Sequence, residues 1–211
     1  MTATGIDISS YSGNWNAQKT RDAGFEFATI RAATWDLKPL VDRNFETNYL
    51  KAEKAGLWRW VYAWTNPRAP LTPQADLFTT VCKGAEPELG YLLDLEDYKN
   101  CKGWRGVMSA YRAQWLEPVA AAVQQTPAIY VNKSYADSYF VRPTKISAGD
   151  LWLMNYPLCI ASWGGIAPSI PWPWLPGQWA AWQCTNDKTS GPHFGLESQE
   201  CTLYISQAEM Y

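Results

Sequence analysis

The sequence predicts an α/β chain whose strands close into an irregular parallel (β/α) barrel of TIM-barrel type, with about eight strands and five helices. Three observations predict it. Short apolar runs alternate with segments of helical period five times from the N-terminus. The run Gly90-Tyr91-Leu92-Leu93 is apolar at successive positions, as a strand buried on both faces must be. The alternation then fails in the last third, which offers three strands with little helix. A doubly wound open sheet is the alternative. The Gly-rich phosphate fingerprint of its nucleotide-binding form is missing.

Gly5-Ile6-Asp7-Ile8-Ser9 reads as the first strand, with Ile6 and Ile8 on one face and Asp7 on the other. A turn-rich loop follows, Ser10 to Asn14. Trp15 to Ala23 reads as a helix stopped by Gly24, and Phe25 to Ala32 as the second strand. Ala33 to Val41 reads as loop. Asp42 is placed to N-cap a helix ending at Ala55, with Phe45, Tyr49 and Ala52 at helical spacing and Gly56 as the stop. Leu57 to Trp64 is the third strand. Thr72-Pro73 is an N-cap and N1 pair opening a helix to about Val81. Leu89 to Leu95 is the fourth strand.

From Trp104 to Val123 apolar residues keep helical spacing through Pro118, which predicts one long kinked helix. Ala128 to Val131 is the fifth strand, Ser134 to about Phe140 a short helix, and Leu151 to Met154 the sixth strand. Ile166 to Gly177 carries four prolines around Trp172 and Trp174, which excludes a helix and predicts an ordered aromatic loop. Trp179 to Gln183 and Thr202 to Ile205 are the last two strands, joined by a loop.

The chemistry concentrates at Asp94-Leu95-Glu96-Asp97, where the fourth strand ends. Residues i and i+2 of a strand share a face about 6.6 Å apart, so Asp94 and Glu96 point the same way. Two carboxyls there are costly to bury without partners or a function. Close together they push their pKa values apart, so one keeps its proton near neutral pH. That is equipment for general acid catalysis on a glycosidic bond. The plainer reading is a strand-end cluster that caps a helix or binds a solvent cation. Asp7 also sits near a strand end, and in a barrel such ends converge on one active mouth. Tyr62, Trp64, Tyr130 and Trp152 lie near strand ends too, either lining a sugar cleft or packing in the core.

The 211 residues suit one domain, 1–211. Eighteen Lys and Arg against 20 Asp and Glu give a net charge of −2, without the basic patch that nucleic acid calls for. No apolar run approaches a membrane span, and the N-terminus has no secretory pattern. The 13 Trp, joined by 12 Tyr, are too many for the core alone, and flat aromatic faces suit sugar rings as well as protein packing. The five cysteines are odd in number and none has C-x-x-C spacing, so a zinc site is rejected. Cys82 with Cys101 and Cys184 with Cys201 are candidate bridges in an oxidising compartment, and free thiols otherwise. With His193 the sole histidine, neither a Ser-His-Asp triad nor a two-histidine metal site has enough parts.

With Gly5-Ile6-Asp7-Ile8-Ser9 and Asp94-Leu95-Glu96 both in view, the chain resembles the family 25 glycoside hydrolases, the Chalaropsis-type lysozymes. Phe25 to Arg31, Val41-Asp42-Arg43-Asn44-Phe45, Ala55-Gly56, Tyr62-Ala63-Trp64, Ile129-Tyr130-Val131-Asn132, Leu151-Trp152 and Trp182-Gln183 extend the match over essentially the whole chain. The resemblance implies hydrolysis of the β-1,4 bond between N-acetylmuramic acid and N-acetylglucosamine, with retention and without metal or cofactor. It implies Glu96 as general acid. Asp94 would steer the substrate's 2-acetamido group or stabilise the cationic transition state, and Asp7 would support the site. The family also carries an acid on the last strand, and the best match is Glu200, one methylene longer than the usual Asp. A shifted alignment puts Thr202 there instead, and Asp187 and Glu197 are nearby candidates.

The expected partner is bacterial cell-wall peptidoglycan, with no nucleic acid and no membrane, met by a monomer. The chain fits a phage endolysin released through a holin-type lesion, a virion-associated enzyme, or a secreted enzyme trimmed of its signal. A non-catalytic glycan-binding relative of the same fold is the alternative function. A metal-dependent phosphodiesterase built on the acidic cluster is a third, disfavoured by the single histidine.

Overall fold

The structure is a computed structural model. It describes residues 3–35, 38–66, 68–96, 111–132, 135–136, 155–161, 180–187, 189–198 and 201–206. Its strands are β1 (Ala3–Ile8), β2 (Phe27–Trp35), β3 (Pro39–Val41), β4 (Trp58–Trp64), β5 (Tyr91–Leu95), β6 (Ala128–Asn132), β7 (Leu158–Ala161), β8 (Ala181–Asp187) and β9 (Cys201–Ser206). The helices are α1 (Ala17–Asp22), α2 (Phe45–Lys54), α3 (Leu71–Val81) and α4 (Glu117–Val123).

The sheet runs β1-β9-β8-β7-β6-β5-β4-β2-β3, and β1 also pairs with β2. That last pairing closes eight strands into a ring, with β3 as an appendage. Neighbours from β1 through β2, β4, β5, β6 and β7 to β8 are parallel. β9 is antiparallel to both β8 and β1. This is the irregularity that the failed alternation foretold: no crossover helix is needed to bring an antiparallel strand back.

Alternation along each strand builds two cores. Ile6, Ile8, Ile30, Val61, Leu93, Leu95, Ile129, Val131 and Ile160 face outward and pack under the helices with Phe45, Phe78, Trp115 and Val119. Phe27, Trp60, Tyr62, Leu92, Tyr130, Cys159 and Tyr204 fill the interior. Gly5 belongs to the inward stripe, where an added Cβ would lie 2.1 Å from the Phe27 ring. Glycine there lets that ring occupy the barrel floor. Cys82 and Cys159 are free, buried thiols.

Several boundaries differ from expectation. The segment read as loop after Ala32 continues β2 to Trp35 and returns as β3, whose three exposed residues carry no alternation signal. Asp42 does not cap a helix. Asn44 precedes α2, and Asp42 is held elsewhere. α3 opens at Leu71 after Pro70, before the Thr72-Pro73 pair. The long helix, described from Tyr111, contains a π turn over Arg112–Leu116 that leads into α4 and precedes Pro118. β7 is a four-residue strand that pattern reading did not single out. The predicted strand at 151–154, the aromatic loop at 166–177 and most of the helix at 134–140 lie outside the described residues.

Candidate active site

Four registers assemble the site at the C-terminal ends of the strands. Arg31 pairs with Tyr62, Trp64 with Asp94, and Asp94 with Tyr130. Asp7 lies one strand further, opposite Thr29. Adjacent strands are about 4.8 Å apart, so these inward side chains meet.

Asp7 accepts two tyrosine hydroxyls, Tyr62 Oη to Oδ1 at 3.0 Å and Tyr204 Oη to Oδ2 at 3.1 Å. Burial pushes its carboxyl up to about 6. The two tyrosines and the Arg31 charge oppose the rise, and Glu96 adds to it. Asp94 is 9% exposed, and its Oδ1 has no hydrogen-bond partner among the described residues. Burial drives its carboxyl well above the ordinary range, helped by Glu96 and Asp7 and opposed by Arg31. Glu96 is half-buried. Burial raises its carboxyl too, while hydrogen bonding with the Tyr130, Trp64 and Asn132 side chains pulls it back. The three acids thus form one coupled cluster in which not every member ionises near neutral pH.

The positive charge beside them is Arg31. Its Nη2 lies 2.8 Å from Asp42 Oδ2, its Nε donates to the same oxygen at 2.9 Å, and Nη2 donates to Ser10 Oγ at 3.1 Å. Asp42 also accepts the backbone N–H groups of Ser10 and Asn44. The guanidinium stands 4.8 Å from the centroid of the Tyr11 ring, which is 82% exposed.

Opposite Arg31, Tyr130 Oη donates to Gln183 Oε1 at 2.6 Å, and Gln183 Nε2 donates to Tyr204 Oη at 2.9 Å. Tyr62 and Tyr130 are therefore buried among the acids, at 7% and 3% exposure. Trp64, half-buried, stands at the rim. Glu197 is exposed and accepts the Asn14 backbone N–H at 2.6 Å, so it braces the first loop away from the acids. Glu200 and Trp152, like Asp97, Trp172 and Trp174, lie outside the described residues, as does the side chain of Asp187. Among the described residues no three His, Cys, Asp or Glu side chains are grouped as a metal site would require. No helix among them is long and apolar enough to cross a membrane.

The model of glycosyl hydrolases family 25 matches residues 6–191, which span Asp7, Asp94 and Glu96. The chain belongs to glycosyl hydrolases family 25. It is 27% identical over 175 residues to lysozyme M1 of Streptomyces globisporus, which covers 79% of this chain and 57% of that relative. The chain thus spans a little over half the length of this curated relative. Solved structures show the same fold. The lysozyme of Streptomyces coelicolor superposes with a TM-score of 0.75 at 24% identity, over 95% of this chain and 90% of that one. A family GH25 lysozyme from Aspergillus fumigatus gives 0.76 at 22% identity, over 99% and 96%.

Within this family 25 chain, sequence reasoning missed Arg31, Gln183 and Tyr204 as parts of the site. Arg31 was within reach, being the third inward position of β2 after Phe27 and Thr29. Gln183 and Tyr204 were not, because a bulge at Gln183/Thr185 and the antiparallel β9 hide their facing from pattern alone.

Proposed function

We propose that this chain is a peptidoglycan hydrolase, a lysozyme that acts as a single catalytic domain on the β-1,4 bond between N-acetylmuramic acid and N-acetylglucosamine. The observation that carries the reading is the orphaned Asp94 Oδ1 beside Glu96, buried at the mouth of the barrel. A buried oxygen without a donor awaits one, and the N–H of a 2-acetamido group is a donor of the right kind.

Glu96 is the general acid. It gives its proton to the leaving O4 as the C1–O4 bond breaks. The acetamido carbonyl oxygen attacks C1 and forms a cyclic oxazolinium, whose N–H Asp94 steers and whose charge it offsets. Water then adds at C1 and gives a proton to the Glu96 carboxylate. The ring opens to restore the acetamido group, and two displacements retain the anomeric configuration. Desolvation alone would favour Asp94 over Glu96 as the proton holder, since Asp94 is deeper. Substrate resolves this competition: an N–H donated to Asp94 favours its carboxylate and leaves the proton to Glu96. Asp7, with Arg31 nearby, completes the charge around the site. The partner is cell-wall peptidoglycan.

The test is a reducing-end assay on purified bacterial peptidoglycan with the protein and with Glu96→Gln. Products ending in reducing N-acetylmuramic acid, lost on substitution, are expected. Glycan binding without release of reducing ends from the unsubstituted protein would sink the reading in favour of a non-catalytic wall binder.

A further inference from the structure

Five large apolar side chains among the described residues are exposed, and three of them, Tyr11, Leu40 and Val41, lie on the first loop and on β3, at the end of the barrel that holds the acids. An exposed tyrosine taken singly is ordinary. This one is held in place. Its backbone N–H donates to Ser9 Oγ at 3.2 Å, within a capping box in which the Ser9 N–H donates to Ser12 Oγ. The residue before it is tied twice: the Ser10 N–H donates to Asp42 Oδ2 at 2.9 Å, and the Ser10 hydroxyl accepts from Arg31 Nη2 at 3.1 Å. Past the turn, Asn14 is fixed by Glu197 and Lys51.

The ring itself lies over the Arg31 guanidinium, whose carbon is 4.8 Å from its centroid. Asp42 holds that guanidinium in turn, so the ring rests on a charged bed that cannot drift. One face is thereby occupied, and at 82% exposure the other is open to solvent. A ring fixed before it binds loses little freedom when it does.

Arg31 also joins this ring to the chemistry. It sits opposite Tyr62 in the β2–β4 register, and the Tyr62 hydroxyl donates to Asp7 Oδ1. Around the ring of strands, β1 and β5 are three places apart through β2 and β4, at about 4.8 Å per place. Tyr11, which follows β1, therefore stands across the mouth from Glu96, which follows β5. A glycan strand cleaved at Glu96 meets Tyr11 with a sugar further along. A pyranose carries C–H groups on its face and hydroxyls at its edge, so a flat open ring covers the first and leaves the second in water. Val41, 51% exposed, adjoins the Ser10–Asp42 bond just as Tyr11 does, and offers apolar contact for an N-acetyl methyl.

We propose that Tyr11 is a substrate-binding residue, the stacking platform for an N-acetylhexosamine ring of the glycan strand that lies outside the two sugars flanking the cleaved bond. This deepens the reading of the site as a peptidoglycan hydrolase and rests on it for the identity of the strand.

The experiment measures kcat, KM and their pH dependence on soluble, uncrosslinked peptidoglycan strands for Tyr11→Ala, Tyr11→Phe and Tyr11→Trp. It also measures co-sedimentation with insoluble peptidoglycan in the Glu96→Gln background. Because the ring is exposed, its removal leaves the fold intact. In Tyr11→Ala, KM should rise about tenfold, with kcat within about twofold and its pH profile unmoved. Tyr11→Phe and Tyr11→Trp keep a flat face and should hold KM within about twofold of the parent. Glu96→Gln/Tyr11→Ala should sediment with the wall about tenfold more weakly than Glu96→Gln. Unchanged KM and sedimentation in the alanine variants overturn the proposal. An equal loss in all three Tyr11 variants overturns it too, since the flat face would then not be what matters. A fall in kcat with a displaced pH profile overturns it in favour of an effect passed through Arg31 to Asp7. If the unsubstituted protein releases no reducing ends while Tyr11→Ala still weakens sedimentation, the platform stands and the hydrolase reading falls.

Discussion

Tyr204 on β9 donates to Asp7 Oδ2 on β1 at 3.1 Å, joining residues 197 apart in sequence at the seam where the barrel closes. The bond is also the point where β9, antiparallel to both of its neighbours in the ring, meets the acid cluster. Closure and chemistry therefore share a residue, and substitutions there read out in both.

Asp7→Asn tests the energetics of that seam through pH. The Asp7 carboxyl is raised from 3.8 to about 6, so between those values the folded protein holds a proton that the unfolded chain has released. Stability from this group is full below about pH 4, falls as pH rises through 6, and is level above. A rise of about two pH units corresponds to about 3 kcal/mol. Asparagine cannot ionise, so the variant lacks this loss. Urea unfolding of both proteins at pH 4 and pH 7.5 should show the variant gaining on the parent by up to about 3 kcal/mol. A pH-independent difference would mean that Asp7 titrates as an ordinary carboxyl.

Asp94→Asn and Glu96→Gln separate the two acids. Glu96→Gln removes the proposed proton donor, and kcat should drop by roughly 10²–10⁴-fold. Its KM stays near the parent's because the amide still accepts from Trp64. Asp94→Asn should also lower kcat, since a neutral amide cannot offset the charge of the oxazolinium. It removes a buried carboxyl, so its thermal midpoint at pH 7.5 should lie above the parent's. An Asp94→Asn protein with normal kcat would contradict the steering role.

Asp42 illustrates how much the sequence disclosed and how much it withheld. Its position before an apolar helical run suggested a cap, a local role. The long-range partner, Arg31, is brought to it only by the turn through β3, and three exposed residues announce no strand. By contrast the alternation of Ile6, Asp7 and Ile8, and the spacing of Asp94 and Glu96, were legible because a strand's two faces are set by its period alone. Local periodicity thus disclosed most strands of the ring, though not β7, and the facing of the three acids. It could not disclose Gln183 or Tyr204, whose facing depends on a bulge and on strand direction.

Removing Asp42 should therefore be severe. Asp42→Ala leaves the Arg31 guanidinium, whose side chain is 12% exposed, without its ion pair, and it strips an acceptor from two backbone N–H groups. Breaking one partner of a buried pair costs about 3–5 kcal/mol. The double variant Arg31→Met/Asp42→Ala should recover part of this loss, because no uncompensated charge remains. Equilibrium unfolding of the three proteins as a double-mutant cycle measures the coupling. Strictly additive losses would show that the pair is not energetically linked.

Gly5 offers a purely steric test of how the barrel floor is filled. A Cβ there would stand 2.1 to 2.4 Å from three atoms of the Phe27 ring, far inside contact distance. Phe27 is fully buried, and its interior neighbours include Trp60 and Tyr204, so the ring has little room to retreat. Gly5→Ala should destabilise by about 1–3 kcal/mol through overpacking. Two residues along the same strand lies Asp7, so the push also reaches the site, and kcat should fall as the Asp7 carboxylate is displaced from Tyr204. Shortening the ring with Phe27→Leu should recover stability in the double variant, because the space taken by the methyl is the space the ring gives up. If Gly5→Ala alone unfolds at the same urea concentration as the parent, the floor is looser than this packing implies.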